Sequence, residues 1–272
     1  FHSFGSWFLR KYYDVANLEQ TFTVYDDDDV VTLVKKSCPS LSTKEAKIAA
    51  KQIALAKDYC LLPEDDLSIV GSEFDLNEIY SSYQKRLVAT GNVDFGDLIL
   101  KPVQLIHENP QIASYIQNRF GVIMVDEYQD SNIAQYKLLQ AVSGVDNSNS
   151  IAKNYVCVVG DDDQSIYKFR GAEVQNILTF SESFKGTDVI KLETNYRSTG
   201  KILKAAELVV KNNYGRLGKT LVADRGDGKT PVLIFVPDQN AEAIFCADLI
   251  KKAVQIGGRY NSNPEKNRED LS

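Results

Sequence analysis

The hydrophobic pattern changes texture once along the chain. Up to about residue 92 the apolar positions recur at helical spacing. Ile48, Leu55, Ala56 and Tyr59 follow the capping-box pattern Ser42-Thr43-Lys44-Glu45, and Ile79, Tyr80, Tyr83, Leu87 and Val88 follow Asp75 and Glu78, with Gly91 as a stop. From Phe120 onward short, nearly continuous apolar runs take over: GVIMVD (121–126), YVCVVG (155–160), DVIKLE (188–193) and VLIFV (232–236). Runs of that kind suit strands buried on both faces of a parallel sheet. Helical patterns lie between them, at Ile133, Tyr136, Leu139 and Val142, then Ile177 and Phe180, then Ile202, Leu203, Ala206, Val209 and Val210. Strand and helix in alternation predict an α/β layer behind a helical segment. The stretch 143–154 reads as a polar loop.

Composition narrows the picture. With 43% apolar and 25% charged residues in 272, the chain is of ordinary globular make-up and long enough for about two domains. No apolar run approaches the ~20 residues of a membrane helix, and no signal peptide opens the chain, so no membrane partner and a cytoplasmic location are expected; the nucleoid in a bacterium is what the resemblance described below implies. The cysteines Cys38, Cys60, Cys157 and Cys246 are scattered, without a CxxC pair, which argues against a disulfide framework or a zinc ribbon. The first residue is Phe1 and the single methionine is Met124, as expected of a piece cut from a longer protein. Net charge is −6, yet residues 185–230 carry ten Lys or Arg against five acids, a local basic patch of the sort that meets phosphates as readily as it solvates a surface.

In open parallel sheets, ligands sit beyond the carboxyl ends of the strands, so the polar residues after each apolar run carry the interest. Asp126 and Glu127 follow the first run. Their carboxylates suit a magnesium ion and a proton-accepting base, but taken alone they favour a plain acidic turn before a helix capped by Ser131 or Asn132. After the second run come Gly160, Asp161, Asp162, Asp163 and Gln164, then Tyr167, Phe169 and Arg170. Aromatics beside a cation match single-stranded nucleic acid, and they also match a plain core. After the third run, Tyr196 can stack on a base and Arg197 can grip a phosphate, or both can belong to a helix start at Ser198. The acidic run Asp26–Asp29 reads as a metal site or as a solvated helix start.

Together and in this order, DEYQD (126–130), GDDDQSIYKFRGA (160–172) and LETNYRS (192–198) resemble the UvrD/Rep/PcrA group of superfamily 1 DNA helicases. FHSFG (1–5), VDFGDLIL (93–100) and NNYGRLGKTL (212–221) extend the resemblance, which is weak across 14–90 and after about 237. The resemblance implies a RecA-like P-loop NTPase sheet, formed in part by residues 1–13 and 93–196. It implies a helical insert domain at 14–92 and the beginning of a second RecA-like domain at 197–272. It implies ATP and Mg2+ as cofactors and single-stranded DNA and duplex junctions as partners, with repair or replication proteins beside them. Translocation would run 3′ to 5′, driven by closure of the two RecA-like domains. Asp126 would hold magnesium through its water shell, with Glu127 beside it activating the hydrolytic water. Gln164 would sense the γ-phosphate. Tyr196 would stack on adenine and Arg197 would act as an arginine finger. His2, Ser3, Phe4, Tyr167, Phe169 and Arg170 would line the strand path. Phe169 replaces the tryptophan common in the family, and Lys168 is also unusual there.

The family's phosphate-cradling GxxxxGK[ST] loop is missing from the sequence. GRLGKT (215–220) and RGDGKT (225–230) lack the required first glycine, Asn213 and Ala223 standing there, and both read as surface turns. The loop is therefore expected upstream of Phe1 and the later motor motifs beyond Ser272, and the isolated chain is expected to hydrolyse ATP negligibly. Two rivals have definite signatures. A metal-dependent nuclease, or a helicase–nuclease subunit, would use Asp126, Glu127 and Asp161–Asp163 with metal alone. A non-catalytic single-strand-binding module would bind DNA regardless of nucleotide. A serine hydrolase has no support: the only histidines are His2 and His107, and no GxSxG elbow exists.

Overall fold

A computed structural model describes residues 1–71, 75–145, 152–165, 175–213 and 216–256. The chain divides into two compact units. The first comprises Phe1–Leu192 and Val210–Thr220, the second Glu193–Val209 and the chain from Leu221 onward.

In the first unit the order is α1 (His2–Lys11), β1 (Val24–Tyr25), α2 (Asp27–Ser37), α3 (Thr43–Asp58), α4 (Leu76–Ala89), β2 (Val93–Asp94), α5 (Asp97–Glu108) and α6 (Pro110–Arg119). Then follow β3 (Val122–Val125), α7 (Ile133–Ser143), β4 (Tyr155–Val158), α8 (Gln175–Leu178) and α9 (Phe180–Ser183). The helix starts obey local chemistry. Ser42 and Glu45 form the reciprocal capping box, Asp75 accepts from the Glu78 amide, and Gly91 sits at φ +68° just past α4. Asp26 caps α2 in the same reciprocal way with Asp29, so the acidic run is a helix start and not a metal site.

Two apolar cores fill this unit's helical part. α2, α3 and α4 enclose Val34, Ala49, Ile53, Tyr80, Tyr83 and Leu87, while α1, α5, α6 and α7 enclose Phe8, Leu9, Ile99, Ile106, Ile116 and Leu138. A buried charge cluster joins them. Lys57 on α3 is fully buried, its Nζ donating to Asp94 (2.5 Å) and Asp97 (2.7 Å), while the Tyr83 hydroxyl donates to Asp94 at 2.7 Å. Burial opposes every charge here. Lys57 nevertheless holds Asp94 below the usual carboxylate range, whereas burial and the adjacent Asp94 push Asp97 up.

β3 and β4 pair in parallel, Val122 opposite Tyr155 and Val125 opposite Val158. The pairing agrees with the alternation in the sequence; the burial does not. Ile123, Val125, Val156 and Val158 pack on a third cluster around Tyr128, Leu139, Phe180 and Phe184, but Met124 is 73% exposed and Val122 and Tyr155 are also open. One face of the pair is covered and the other is not. The runs 188–193 and 232–236 are not strands: a buried strand needs a neighbour for its amides and carbonyls, and among the described residues the bonded backbone neighbour is confined to the edge of the first run, where the Glu193 carbonyl accepts from Val222 N at 2.8 Å. Their apolar side chains are exposed instead.

The second unit contains β5 (Thr194–Asn195), most of α10 (Gly200–Val210), β6 (Val222–Ala223) and α11 (Gln239–Ile256), with β5 and β6 paired in parallel. The described structure is thus mixed α/β with parallel strand pairs. None of its helices is long and apolar enough to cross a membrane.

Candidate nucleotide and nucleic-acid site

β3 ends at Val125 and delivers Asp126 and Glu127 to the surface. The ladder continues past the strands proper. Val159 N donates to Val125 O at 2.8 Å and Tyr128 N donates to Val159 O at 2.9 Å, so the turn after β3 lies beside the turn after β4. Glu127 sits at φ +51°, the left-handed region that non-glycine residues seldom enter, and its amide donates to Asp126 Oδ1 at 2.9 Å. The next turn, Tyr128–Asp130, leads into α7, where Asn132 caps the helix and is itself bonded by Gln135. The helix-start reading of DEYQD holds, with Asn132 as the cap, and the turn also presents two exposed carboxylates, of which Glu127 accepts from Gln129 Nε2 at 2.8 Å. These fit a hydrated magnesium ion, since exposed oxygens at a strand end leave room for the water shell.

After β4, Gly160 and Asp161 lead into a short turn at Asp162–Gln164. Gln164 Nε2 donates to Asp161 Oδ2 at 2.8 Å. Asp161 also pairs with Lys219, and Arg216 grips Asp163 with two bonds of 2.6 and 2.7 Å. Leu217 N donates to Asp162 at 2.8 Å. Burial opposes the charge on Asp161, yet Lys219 and Gln164 hold its carboxyl below the ordinary range. The three aspartates have ligand oxygens within 4.8 Å of one another, but each already serves a cation or an amide. A divalent ion there would have to compete with Arg216, Lys219 and the Leu217 amide for these oxygens. Lys219, in the first glycine-lysine stretch, is likewise committed to Asp161.

In the second unit, Asn195 Oδ1 accepts from the amides of Arg197 (3.0 Å) and Ser198 (2.7 Å), folding a tight turn after β5. That turn exposes both Tyr196, at 72%, and Arg197. The second glycine-lysine stretch lies beside the start of α10, with Gly226 O accepting from Gly200 N at 2.8 Å.

At the chain's start, His2 stacks on Phe95, ring centres 4.0 Å apart. Gly5 permits this, because α1 meets α5 so closely that a Cβ there would lie 1.7 Å from the Leu98 carbonyl oxygen. Burial pushes the His2 imidazole down to about 4. Ser3 is exposed. Phe4 turns the other way, half-buried against Trp7, Phe8 and Phe120. Tyr167, Phe169 and Arg170 lie outside the described residues.

Asp126, Glu127, Asp161 and Gln164 are thus brought together within the first unit, and His2 meets a partner the sequence reading did not single out. Phe95 is a 59% exposed aromatic in an otherwise buried segment, which is the signal that marks it. The pairing of Arg216 and Lys219 with residues over fifty positions away leaves no trace in local pattern.

Comparison with known proteins supplies the lineage. The UvrD/REP helicase N-terminal domain profile matches residues 1–185, and the UvrD-like helicase C-terminal domain profile matches residues 190–269. A "Probable DNA helicase II homolog" of Rickettsia felis is 40% identical over 272 residues, covering 96% of this chain and 40% of that protein. DNA helicase II of Escherichia coli is 36% identical over 263 residues, covering 95% of this chain and 36% of that protein. "ATP-dependent DNA helicase UvrD1" of Mycobacterium tuberculosis is 38% identical over 245 residues, 87% of this chain and 32% of that protein. The chain spans about two fifths of the length of the first of these relatives. It belongs to the UvrD/Rep helicase family.

Proposed function

Proceeding from that membership, we propose that the protein carrying this chain is an ATP-dependent, magnesium-requiring DNA helicase. It would move on single-stranded DNA, in the 3′ to 5′ sense, and open duplex at single-strand junctions in repair or replication. The observation that carries the reading is the turn after β3, where Asp126 and Glu127 stand as exposed carboxylates at a parallel strand end, beside the turn that bears Gln164. Such strand ends are where open α/β sheets take ligands.

In this reading residues 1–13 and 93–196 belong to a first RecA-like domain, 14–92 to a helical insert, and 197–272 to the beginning of a second RecA-like domain. Asp126 would hold the metal, which would supply charge neutralisation at the phosphates. Glu127 accepts the proton of the attacking water. Gln164, parked on Asp161 here, reports the γ-phosphate. Tyr196 offers its exposed ring to adenine, and Arg197 offers its guanidinium to phosphoryl charge. His2 and Ser3, with Phe95, present a π face and a hydroxyl to the strand. Tyr167, Phe169 and Arg170 complete that path on sequence grounds. Phe4 anchors α1 through its aromatic packing.

The test is ATP turnover by the full-length protein with and without single-stranded DNA, beside Glu127→Gln. Removing the base should lower stimulated turnover by about 100-fold or more while ATP is still bound. Wild-type turnover in the variant would refute Glu127 as the base, and unaltered protein that ignores DNA would refute the motor.

A further inference from the structure

Gln129 lies between the two turns and is 1% exposed. Its side-chain amide is spent in two directions. Nε2 donates to Glu127 Oε2 at 2.8 Å, and Oε1 accepts from the Asp161 amide at 3.0 Å. Nε2 also approaches Asp130 at 3.5 Å, and the Gln129 carbonyl accepts from the Ser165 hydroxyl at 3.3 Å. A buried polar side chain costs free energy unless every group finds a partner, so a site that needed only volume would be better served by an apolar residue. The surroundings are shaped for the amide. A Cβ at Gly160 would stand 2.6 Å from Gln129 Oε1, so glycine there leaves room for the reach to Asp161.

Glu127 itself is exposed, and an exposed carboxylate on a flexible stem samples several rotamers. Two contacts restrict it: its left-handed backbone, and the Gln129 amide on one carboxylate oxygen. The other end of the same amide holds Asp161, whose carboxylate holds Gln164. A continuous set of hydrogen bonds therefore runs from Glu127 through Gln129 and Asp161 to Gln164.

We propose that Gln129 is a positioning residue for ATP hydrolysis: it fixes the Glu127 carboxylate and ties it to the segment that carries Gln164. The assignment rests on the reading of Glu127 as the general base. A misplacement of about 1 Å at a reacting group can cost about 100-fold in rate, so the effect of losing the clamp should be large.

Two substitutions separate its halves. Gln129→Glu keeps an oxygen acceptor for the Asp161 amide and removes the donor to Glu127. Gln129→Met removes both. In the full-length protein with saturating single-stranded DNA, each should lower kcat by about 10-fold or more, with KM for ATP within about twofold of the unaltered protein. In a Glu127→Gln background, Gln129→Met should add less than about twofold, because the group it positions is already gone. A merely structural role would instead add its full effect there.

Amide hydrogen exchange gives a readout independent of turnover. In the unaltered protein without nucleotide, the Asp161 amide should be protected. Gln129→Glu should keep that protection and Gln129→Met should lose it, each variant being checked for cooperative unfolding first. Rapid exchange at Asp161 in the unaltered protein overturns the proposal even if both variants misfold. Normal kcat in either folded variant, or additive losses in the double variant, overturns it as well. If Glu127→Gln turns over normally, the reading of Glu127 falls and this assignment falls with it. If Glu127→Gln is inactive while both Gln129 variants are normal, the Gln129 assignment alone falls.

Discussion

The first unit closes three apolar clusters and buries a lysine with two aspartates, whereas the second has no buried residue among those described. Both contain family motifs, and both form parallel strand pairs. The difference is in cover. α5 presents a broad apolar face and finds helices for it, while α11 displays Ile244, Leu249, Ile250 and Val254 to solvent. A motif turn such as Asn195–Ser198 forms from its own local hydrogen bonds, but a stable layer needs apolar area removed from water. Motif geometry and thermodynamic stability are thus separable in this chain.

The sharpest way to break that comparison is hydrogen exchange on the chain itself. Amides of α3 and α5 should open only with global unfolding, and those of α11 through local fraying. Protection factors should differ by at least about a thousand-fold. Comparable protection in α11 and α5 would show that exposure does not set local stability here.

Next in size is Lys57→Met. It leaves Asp94 and Asp97 buried without their cation, and removing one partner of a buried pair costs about 3–5 kcal/mol. Denaturant midpoints should fall accordingly. An unchanged midpoint would mean that the two carboxylates take up protons at no net cost, and the cluster would not be the joint described here.

Asp58 sharpens the comparison in the opposite direction. Burial pushes its carboxyl up to about 6, and Asn132 Nδ2 donates to it at 2.7 Å. Unfolded, the same group titrates near 3.8. Between those values the folded state binds more protons, so stability falls as pH rises from about 4 to about 6 and stays reduced above. Asp58→Asn keeps an acceptor for Asn132 and removes the penalty. The variant should be more stable than the unaltered chain by about 2–3 kcal/mol at pH 7.5 and equal to it at pH 3. Equal stability at both pH values would show that the carboxylate is better solvated than its packing indicates.

Legibility in the sequence followed the range of the interactions. Capping boxes at Ser42 and the strand-helix alternation around 121–143 are local, and they are where the sequence pattern put them. The acidic run at Asp26 favours a helix start in the sequence, and the bonded geometry of its capping box agrees. Burial was the larger miss. Continuous apolar runs imply two covered faces, but hydropathy cannot say whether the covering layer is at hand, and for Met124 and residues 232–236 it is not. At the candidate site, Asp126, Glu127 and Gln164 were legible as strand-end polar residues. Gln129 was visible only as one letter of a motif, since its role depends on a contact 32 residues away. Phe95 depended on a stack with His2, 93 positions earlier.

The smallest expected effect tests the comparison from its other side. Phe235 is 89% exposed and Ile250 is 63% exposed. If the second unit contributes no buried core, Phe235→Ser and Ile250→Gln remove no packed contact, and each should change unfolding free energy by less than about 0.5 kcal/mol. The same truncation at Phe8 or Ile116, both fully buried, should cost about 2–5 kcal/mol through lost transfer energy and the cavity left behind. The ratio between these pairs is more informative than either value alone, because unfolded-state effects enter both. Binding of a hydrophobic dye supplies an independent reading: the two surface substitutions should lower it, since they remove part of an uncovered apolar patch. A loss at Phe235 comparable to that at Phe8, with dye binding unchanged, would mean that the 232–236 run is packed in solution after all, as its apolar sequence implies.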